Sequence, residues 1–392
     1  MNKDRGWRFT GNERKYVDEV LNHGFRASES GSMNERLEKK FAELHDKKYA
    51  ITANSGTSTL HMALHSFGVG PGDEVIIPAL SVAMCGFVVW QCGANIVYAD
   101  SLPNTFLMDP DDVKKKITNK TKAIMPVHMY GNMCDMTRIM KIAEDNELFV
   151  VEDCAQCLFA SDDKKRKAGT VGHVGSFSFE NSKHMTTGDG GIVITDQEDL
   201  ATHMRQFGGV GYKNITAVTG KVRIDRNTFQ DPNYERFSMF AYNYRMPELC
   251  AAVGLAQCER INEFIELRKK MAEGYMGIIK DSDFFVPQSV QLGYTNTYYT
   301  FAAKFVGKEY GITWYDFRRK YMEFGGDGIY AATQTVNNEP CFKNQKIGRG
   351  EVPIAEKLQK GVMLFTTNQR NDEERMIQIN AMEKTLNYFS KR

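Results

Sequence analysis

Through its first half the chain alternates short, continuous hydrophobic runs with segments of helical spacing. The runs are YAIT (49–52), EVIIP (74–78), NIVYAD (95–100), KAIMPVH (122–128), LFVVED (148–153), GSFSF (175–179) and GIVIT (191–195). Between them, stretches such as TSTLHMALHSF and MTRIMKIAEDN place apolar residues at helical intervals. A strand with one wet face alternates apolar and polar residues. Most of these runs do not, so burial on both faces is expected. The pattern predicts an α/β domain with a mainly parallel central sheet flanked by helices. Ahead of the first run, Ser32 and Glu35 are spaced as a capping box for the helix NERLEKKFAELH, whose Leu37, Phe41 and Leu44 share one face.

Beyond the helical segment PELCAAVGLAQCERINEFIELRKKMAEGY the pattern changes to the aromatic-rich YTNTYYTFAAKF and then to charged helical stretches. Residues 1–261 are therefore expected to form the larger α/β domain and residues 262–392 a smaller α+β domain. Fifty basic residues against forty-nine acidic ones leave a net charge of +1, which gives no basis for electrostatic capture of nucleic acid or of an anionic membrane. The first twenty residues lack the apolar run of a secretory leader, and ALSVAMCGFVVW (79–90) falls well short of the roughly 20 residues of a membrane span. A cytoplasmic location is expected. Eight scattered cysteines suit a reducing compartment. Cys154 and Cys157 have the spacing of a redox or zinc motif, but no second pair at regular spacing completes a zinc site.

In open parallel sheets ligands gather beyond the carboxyl ends of the strands. Three positions there carry chemistry. Ser55, Gly56, Thr57 and Ser58 join a strand to a helix start, where orphan N–H groups and the helix dipole suit an anion such as phosphate; ordinary helix capping would use the same residue types. Asp153 ends what should be a central buried strand, so its carboxylate needs a partner, either a protonated ring nitrogen or a basic side chain of the core. Lys183 lies in FSFENSKHMTTGDGG, too turn-prone for a helix, and an enclosed lysine near another positive group can act as an amine nucleophile toward a carbonyl. A reactive lysine, an acid for a pyridinium nitrogen and a phosphate cradle together point to pyridoxal 5′-phosphate.

The segments NSGTSTLHMAL, PVHMYG, VVEDCAQ, FSFENSKHMTTGDGG and YNYRMPELCAAVGLAQ resemble, in order and spacing, the DegT/DnrJ/EryC1/StrS family of sugar aminotransferases. That resemblance implies the fold of aspartate aminotransferase. It implies that Lys183 carries the cofactor as a Schiff base and moves the proton during transfer, and that Asp153 pairs with the pyridine nitrogen. Gln156 corresponds to the polar residue beside the cofactor ring, Gly56 and Thr57 to backbone donors to the phosphate, and Ser178 to a hydroxyl donor to the same group. Asn243 resembles the asparagine that reaches the cofactor phosphate of a neighbouring subunit, which implies a homodimer with shared active sites.

The expected reaction moves an amino group from L-glutamate to a keto sugar, most simply a nucleotide-linked keto-deoxysugar. A keto-sugar dehydratase, a cyclitol aminotransferase and a non-catalytic regulator are the alternatives. Two departures bear on the substrate. Val82 stands where many relatives have an aromatic residue, and the segment GIYAATQTVNNEPCF (328–342) differs from the family's proline-rich loop. His128 is placed either to contact substrate or to serve as a hydrogen-bonded structural residue. Dehydratase members of the family have a histidine in the lysine's place; here Lys183 holds it and His184 follows, which favours amino transfer.

Overall fold

The computed structural model describes residues 6–218 and 225–391; the first five residues of the stretch read above for a leader lie outside them. All seven hydrophobic runs form strands: β1 (Tyr49–Ala53), β2 (Glu74–Pro78), β3 (Asn95–Ala99), β4 (Thr121–Ile124), β5 (Phe149–Asp153), β6 (Val174–Ser178) and β7 (Gly191–Thr195). They make one sheet in the order β1-β7-β6-β5-β4-β2-β3. From β3 to β6 every pairing is parallel, while β7 is antiparallel to both β1 and β6. The exception has a local cause: the connection 179–190 contains no helix to carry the chain across the sheet, so it turns back beside β6. Six of the seven strands therefore point their carboxyl ends at the same edge of the sheet.

β4 is shorter than its hydrophobic run. Pro126 has no N–H to donate, so the regular ladder stops, and the chain rejoins β5 through a single bridge between Val127 and Asp153. The capping box forms as expected: Ser32 Oγ accepts the N–H of Glu35 at 3.3 Å and the Glu35 carboxylate accepts that of Ser32 at 3.1 Å. The segment read as one long helix is two, Glu248–Glu259 and Ile261–Ile279. Arg260 leaves helical geometry between them, with φ −114° and ψ 9°, and its guanidinium turns to Glu263 and to the carbonyl of Arg8.

A second sheet, β8 (Phe285–Pro287), β9 (Phe301–Phe305), β10 (Ile329–Ala331) and β11 (Val362–Phe365), is antiparallel throughout, in the order β10-β11-β9-β8. Each sheet has its own buried cluster. The larger includes Phe264 and Ile265; the smaller contains Met271, Tyr275, Phe301, Phe317 and Phe365. The helix Ile261–Ile279 thus serves both cores. Part of the later chain returns to the larger core, where Val336, Phe342 and Ala355 are buried. Two polar ties hold it there: Asp100 accepts the N–H groups of Ile354 and Ala355 at 3.1 and 2.7 Å, and Arg349 grips Glu74 with two hydrogen bonds.

Candidate active site

The edge where the parallel strands end is concave and rich in donors. After β1, Ser55 caps the helix Gly56–Ser66 by accepting the N–H of Ser58 at 3.0 Å. Among the described residues the N–H groups of Gly56 and Thr57 have no protein acceptor, as expected of a first helical turn. Glycine is required at 56, because a Cβ there would lie 2.7 Å from that of Ser178 at the end of β6. Among the described residues the Ser178 hydroxyl accepts one long hydrogen bond, 3.4 Å, from the N–H of Glu180. Two backbone donors and one hydroxyl therefore converge beside the positive end of a helix dipole, a suitable cradle for phosphate.

β5 ends in two adjacent carboxylates on opposite faces of the sheet. Glu152 is fully buried and saturated. It accepts from Nε2 of His128 at 2.9 Å and from the backbone N–H groups of Gly169, Val171 and Gly172 at 2.9, 2.8 and 2.6 Å. Burial opposes its ionisation, but these donors outweigh burial and hold the carboxyl below its usual value. Nδ1 of His128 accepts the N–H of Cys134 at 3.1 Å, which leaves the Nε2 proton to face Glu152. Of the two placements expected for His128, the structural one holds: the residue is 0% exposed and both ring nitrogens are engaged by protein.

Asp153 is also buried but poorly satisfied. One oxygen accepts the N–H of Ala155 at 2.9 Å, and the other takes a weak thiol donation from Cys85 at 3.4 Å. Burial raises its pKa, opposed incompletely by these donors and by the charge of Lys183. Lys183 lies at the turn after Glu180, its Nζ 4.6 Å from the centre of the Tyr299 ring. Next to it is a cavity of about 400 Å³ lined by Val82, Tyr130, Gln156, Tyr299, Tyr330 and Thr333, among others.

Gln156 fixes one wall by accepting the N–H of Tyr130 at 3.0 Å; Tyr130 has a strained φ of 66°. Val82 and the segment 328–342 meet in this cavity through Tyr330 and Thr333. Asn243 does not line it. It is exposed and forms a backbone bridge to Gly209, with Tyr242 and Tyr244 stacked on either side in sequence. His184 is buried and donates to the carbonyl of Thr297 at 3.0 Å, with burial keeping it neutral. The thiols of Cys154 and Cys157 are pushed well up by burial, which suits inert core residues. His128, Glu152 and Cys154 do bring ligand atoms within 4.8 Å of one another, but the Glu152 oxygens are occupied by N–H donors. Several participants escape motif reading: Cys85 on Asp153, Tyr299 beside the amine, and Arg8 and Arg268 around the lysine loop. Nothing in sequence joins them to the site, since each is far from its partner along the chain.

The donor set fits pyridoxal phosphate. The cradle at Gly56, Thr57 and Ser178 matches its phosphate, and Asp153, lacking a basic partner among the described residues, matches a protonated ring nitrogen. Comparison with known proteins agrees. The model of the DegT/DnrJ/EryC1/StrS aminotransferase family matches residues 8–382. The chain is 39% identical over 266 residues to GDP-perosamine synthase of Escherichia coli O157:H7, covering 68% of each protein. It is 33% identical over 275 residues to the L-glutamine:2-deoxy-scyllo-inosose aminotransferase of Streptomyces kanamyceticus, covering 70% of this chain and 62% of that one. The X-ray structure of the aminotransferase from Psychrobacter cryohalolentis superposes with a TM-score of 0.87 at 27% identity, covering 96% of this chain and 97% of that one. The chain thus belongs to the DegT/DnrJ/EryC1/StrS aminotransferase family and is a pyridoxal phosphate-dependent aminotransferase.

Proposed function

We propose that this enzyme moves an amino group from L-glutamate to the ketone of a nucleotide-linked keto-deoxysugar, with Lys183 as the reacting amine and Asp153 as the partner of the cofactor ring. The observation that carries this assignment is the buried, under-bonded Asp153 carboxylate within the field of Lys183. When bound, pyridoxal phosphate supplies the carbonyl for amine exchange and a ring that accepts electrons. Gly56, Thr57 and Ser178 hold its phosphate, Gln156 faces its ring, and Asp153 keeps the ring nitrogen protonated. Nζ of Lys183 removes the proton from the α-carbon of the amino donor and returns it on the far side of the transfer, so it serves as base and then acid. The wall formed by Val82, Tyr330 and Thr333 receives the sugar.

The donor and the ketone are tested together. The loaded enzyme is mixed with L-glutamate and GDP-4-keto-6-deoxymannose, and product mass is followed. An amino sugar together with 2-oxoglutarate is expected; loss of water without amine gain would overturn the assignment. A cyclitol ketone with L-glutamine is the second candidate pair, favoured by the scyllo-inosose relative, and the same assay distinguishes it. Lys183→Ala should reduce turnover by about 10⁴-fold while retaining cofactor affinity through the phosphate cradle.

The same proposal extends to assembly and place. We infer a homodimer in which Asn243 reaches the partner's cofactor phosphate, and a cytoplasmic enzyme. Phe237, Phe240 and Tyr242, which are 56%, 100% and 49% exposed, leave an apolar surface around Asn243 that a second copy would cover. Sedimentation as a monomer would exclude this. No described helix is long and apolar enough to cross a membrane. The division near residue 262 into two domains draws support from the two separate buried clusters.

A further inference from the structure

Four consecutive carbonyls around Lys183, those of residues 181–184, accept no backbone N–H among the described residues. All four are taken by two arginines. Arg8 donates to Asn181 O at 3.1 Å and to Lys183 O and His184 O at 2.8 Å each. Arg268 donates to Ser182 O at 3.0 Å and more weakly to Lys183 O at 3.4 Å. Neither guanidinium has an ion pair with a described carboxylate, although Glu180 acts on Arg8 through its field. Burial lowers both to a pKa of about 10, so both stay charged near neutral pH. An uncompensated buried charge is costly, and here the carbonyl dipoles of the lysine loop provide the compensation.

The two arginines reach the loop from different places. Arg268 is set in the helix Ile261–Ile279 and is also tied to Tyr299 O at 2.7 Å and Thr367 Oγ1 at 3.1 Å. Arg8 belongs to the segment before the first helix, Glu13–Asn22. That segment is docked by its own contacts: the Trp7 ring meets Phe264 edge-on at 6.3 Å, and Arg8 O accepts from Gln257 and Arg260.

We infer that Arg8 is a positioning residue for Lys183, and that the N-terminal segment is a strap whose docking on the helices at 248–279 keeps the lysine loop in its reactive shape. This rests on the assignment of Lys183 as the reacting amine. The loop has no helix or sheet ladder of its own at 181–184, so the peptide orientation that aims the side chain depends on these donors. A guanidinium fork can serve three carbonyls at once; an ammonium lacks that planar geometry.

The test uses the full chain with Arg8→Gln, Arg8→Lys and Trp7→Ala. In the protein freed of cofactor, amide hydrogen exchange is measured on peptides covering 179–187; in the loaded enzyme, kcat, KM for L-glutamate and cofactor affinity are measured. Arg8→Gln should speed exchange in that peptide by tenfold or more while the strands keep their protection. A misplaced amine should lower kcat by about 100-fold, with KM changed by no more than about twofold. Arg8→Lys should fall between, and Trp7→Ala, which removes no described hydrogen bond to the loop, should move the same amides less. Unchanged exchange and kcat would overturn the inference, as would loss of protection spread evenly through the fold in both Arg8→Gln and Trp7→Ala. If Lys183→Ala keeps turnover, the lysine assignment itself fails; if Lys183→Ala is inactive and Arg8→Gln behaves as wild type, only the strap is lost.

Discussion

Glu152 and Asp153 are neighbours in sequence, share one strand and are equally buried, yet the structure treats them in opposite ways. Glu152, on one face of β5, collects four donors and is held ionised. Asp153, on the other face, has one good donor and a thiol, and burial raises its pKa. A saturated buried carboxylate has no capacity left for a ligand and serves the fold. An under-bonded one is costly to the fold and retains lone pairs for a ligand. The difference separates architecture from chemistry across the thickness of a single sheet.

The comparison breaks first at Glu152. Glu152→Gln places an amide NH₂ against N–H donors and should cost about 3–5 kcal/mol of stability, as loss of one member of a buried pair does. Chemical denaturation checks the cost, and kcat of the surviving folded enzyme should stay within about twofold. A variant of normal stability with dead chemistry would reverse the two roles. Asp153→Asn should do the opposite and lower kcat by about 10²–10³-fold, as removal of a strong electrostatic stabiliser does, and should weaken cofactor affinity in a spectrophotometric titration.

Stability against pH sharpens the contrast. The folded pKa of Glu152 lies below its unfolded value of about 4.3, so its contribution is present above that pH and is lost as pH falls through the folded value. The folded pKa of Asp153 lies above its unfolded value of about 3.9, so its contribution is full below 3.9 and is lost as pH rises through the folded value. In cofactor-free protein Asp153→Asn should therefore raise the thermal midpoint at neutral pH, with the gain vanishing at acid pH. A lower midpoint at neutral pH would mean that Asp153 already has a cation to pair with. The smallest effect is expected at Cys85. Cys85→Ala removes the weaker donor to Asp153 and should change cofactor affinity by about tenfold at most, with Cys85→Ser restoring it. No change in either variant would leave the Ala155 N–H as the only donor that matters.

Much of this was legible in the residues. The seven strands follow from hydrophobic runs, because burial on both faces leaves a local signature that survives without knowledge of neighbours. Lys183, Asp153 and the Gly56–Thr57 turn stood out because each follows a strand where ligands gather. The helix break at Arg260 and the early end of β4 at Pro126 were less visible. The first depends on where a guanidinium finds partners, and the second on a missing N–H that matters only once a neighbouring strand is in place.

Local sequence determined the strands, the helix caps and the side of the sheet on which chemistry collects, since periodicity and capping act over a few residues. Only the tertiary structure decided which carboxylate was saturated and which was left open, that His128 and His184 are structural, and that two distant arginines hold the lysine loop. Those outcomes depend on donors brought from as far as 176 positions away. Spacing along a chain does not encode them, because hydrogen bonds are made in space.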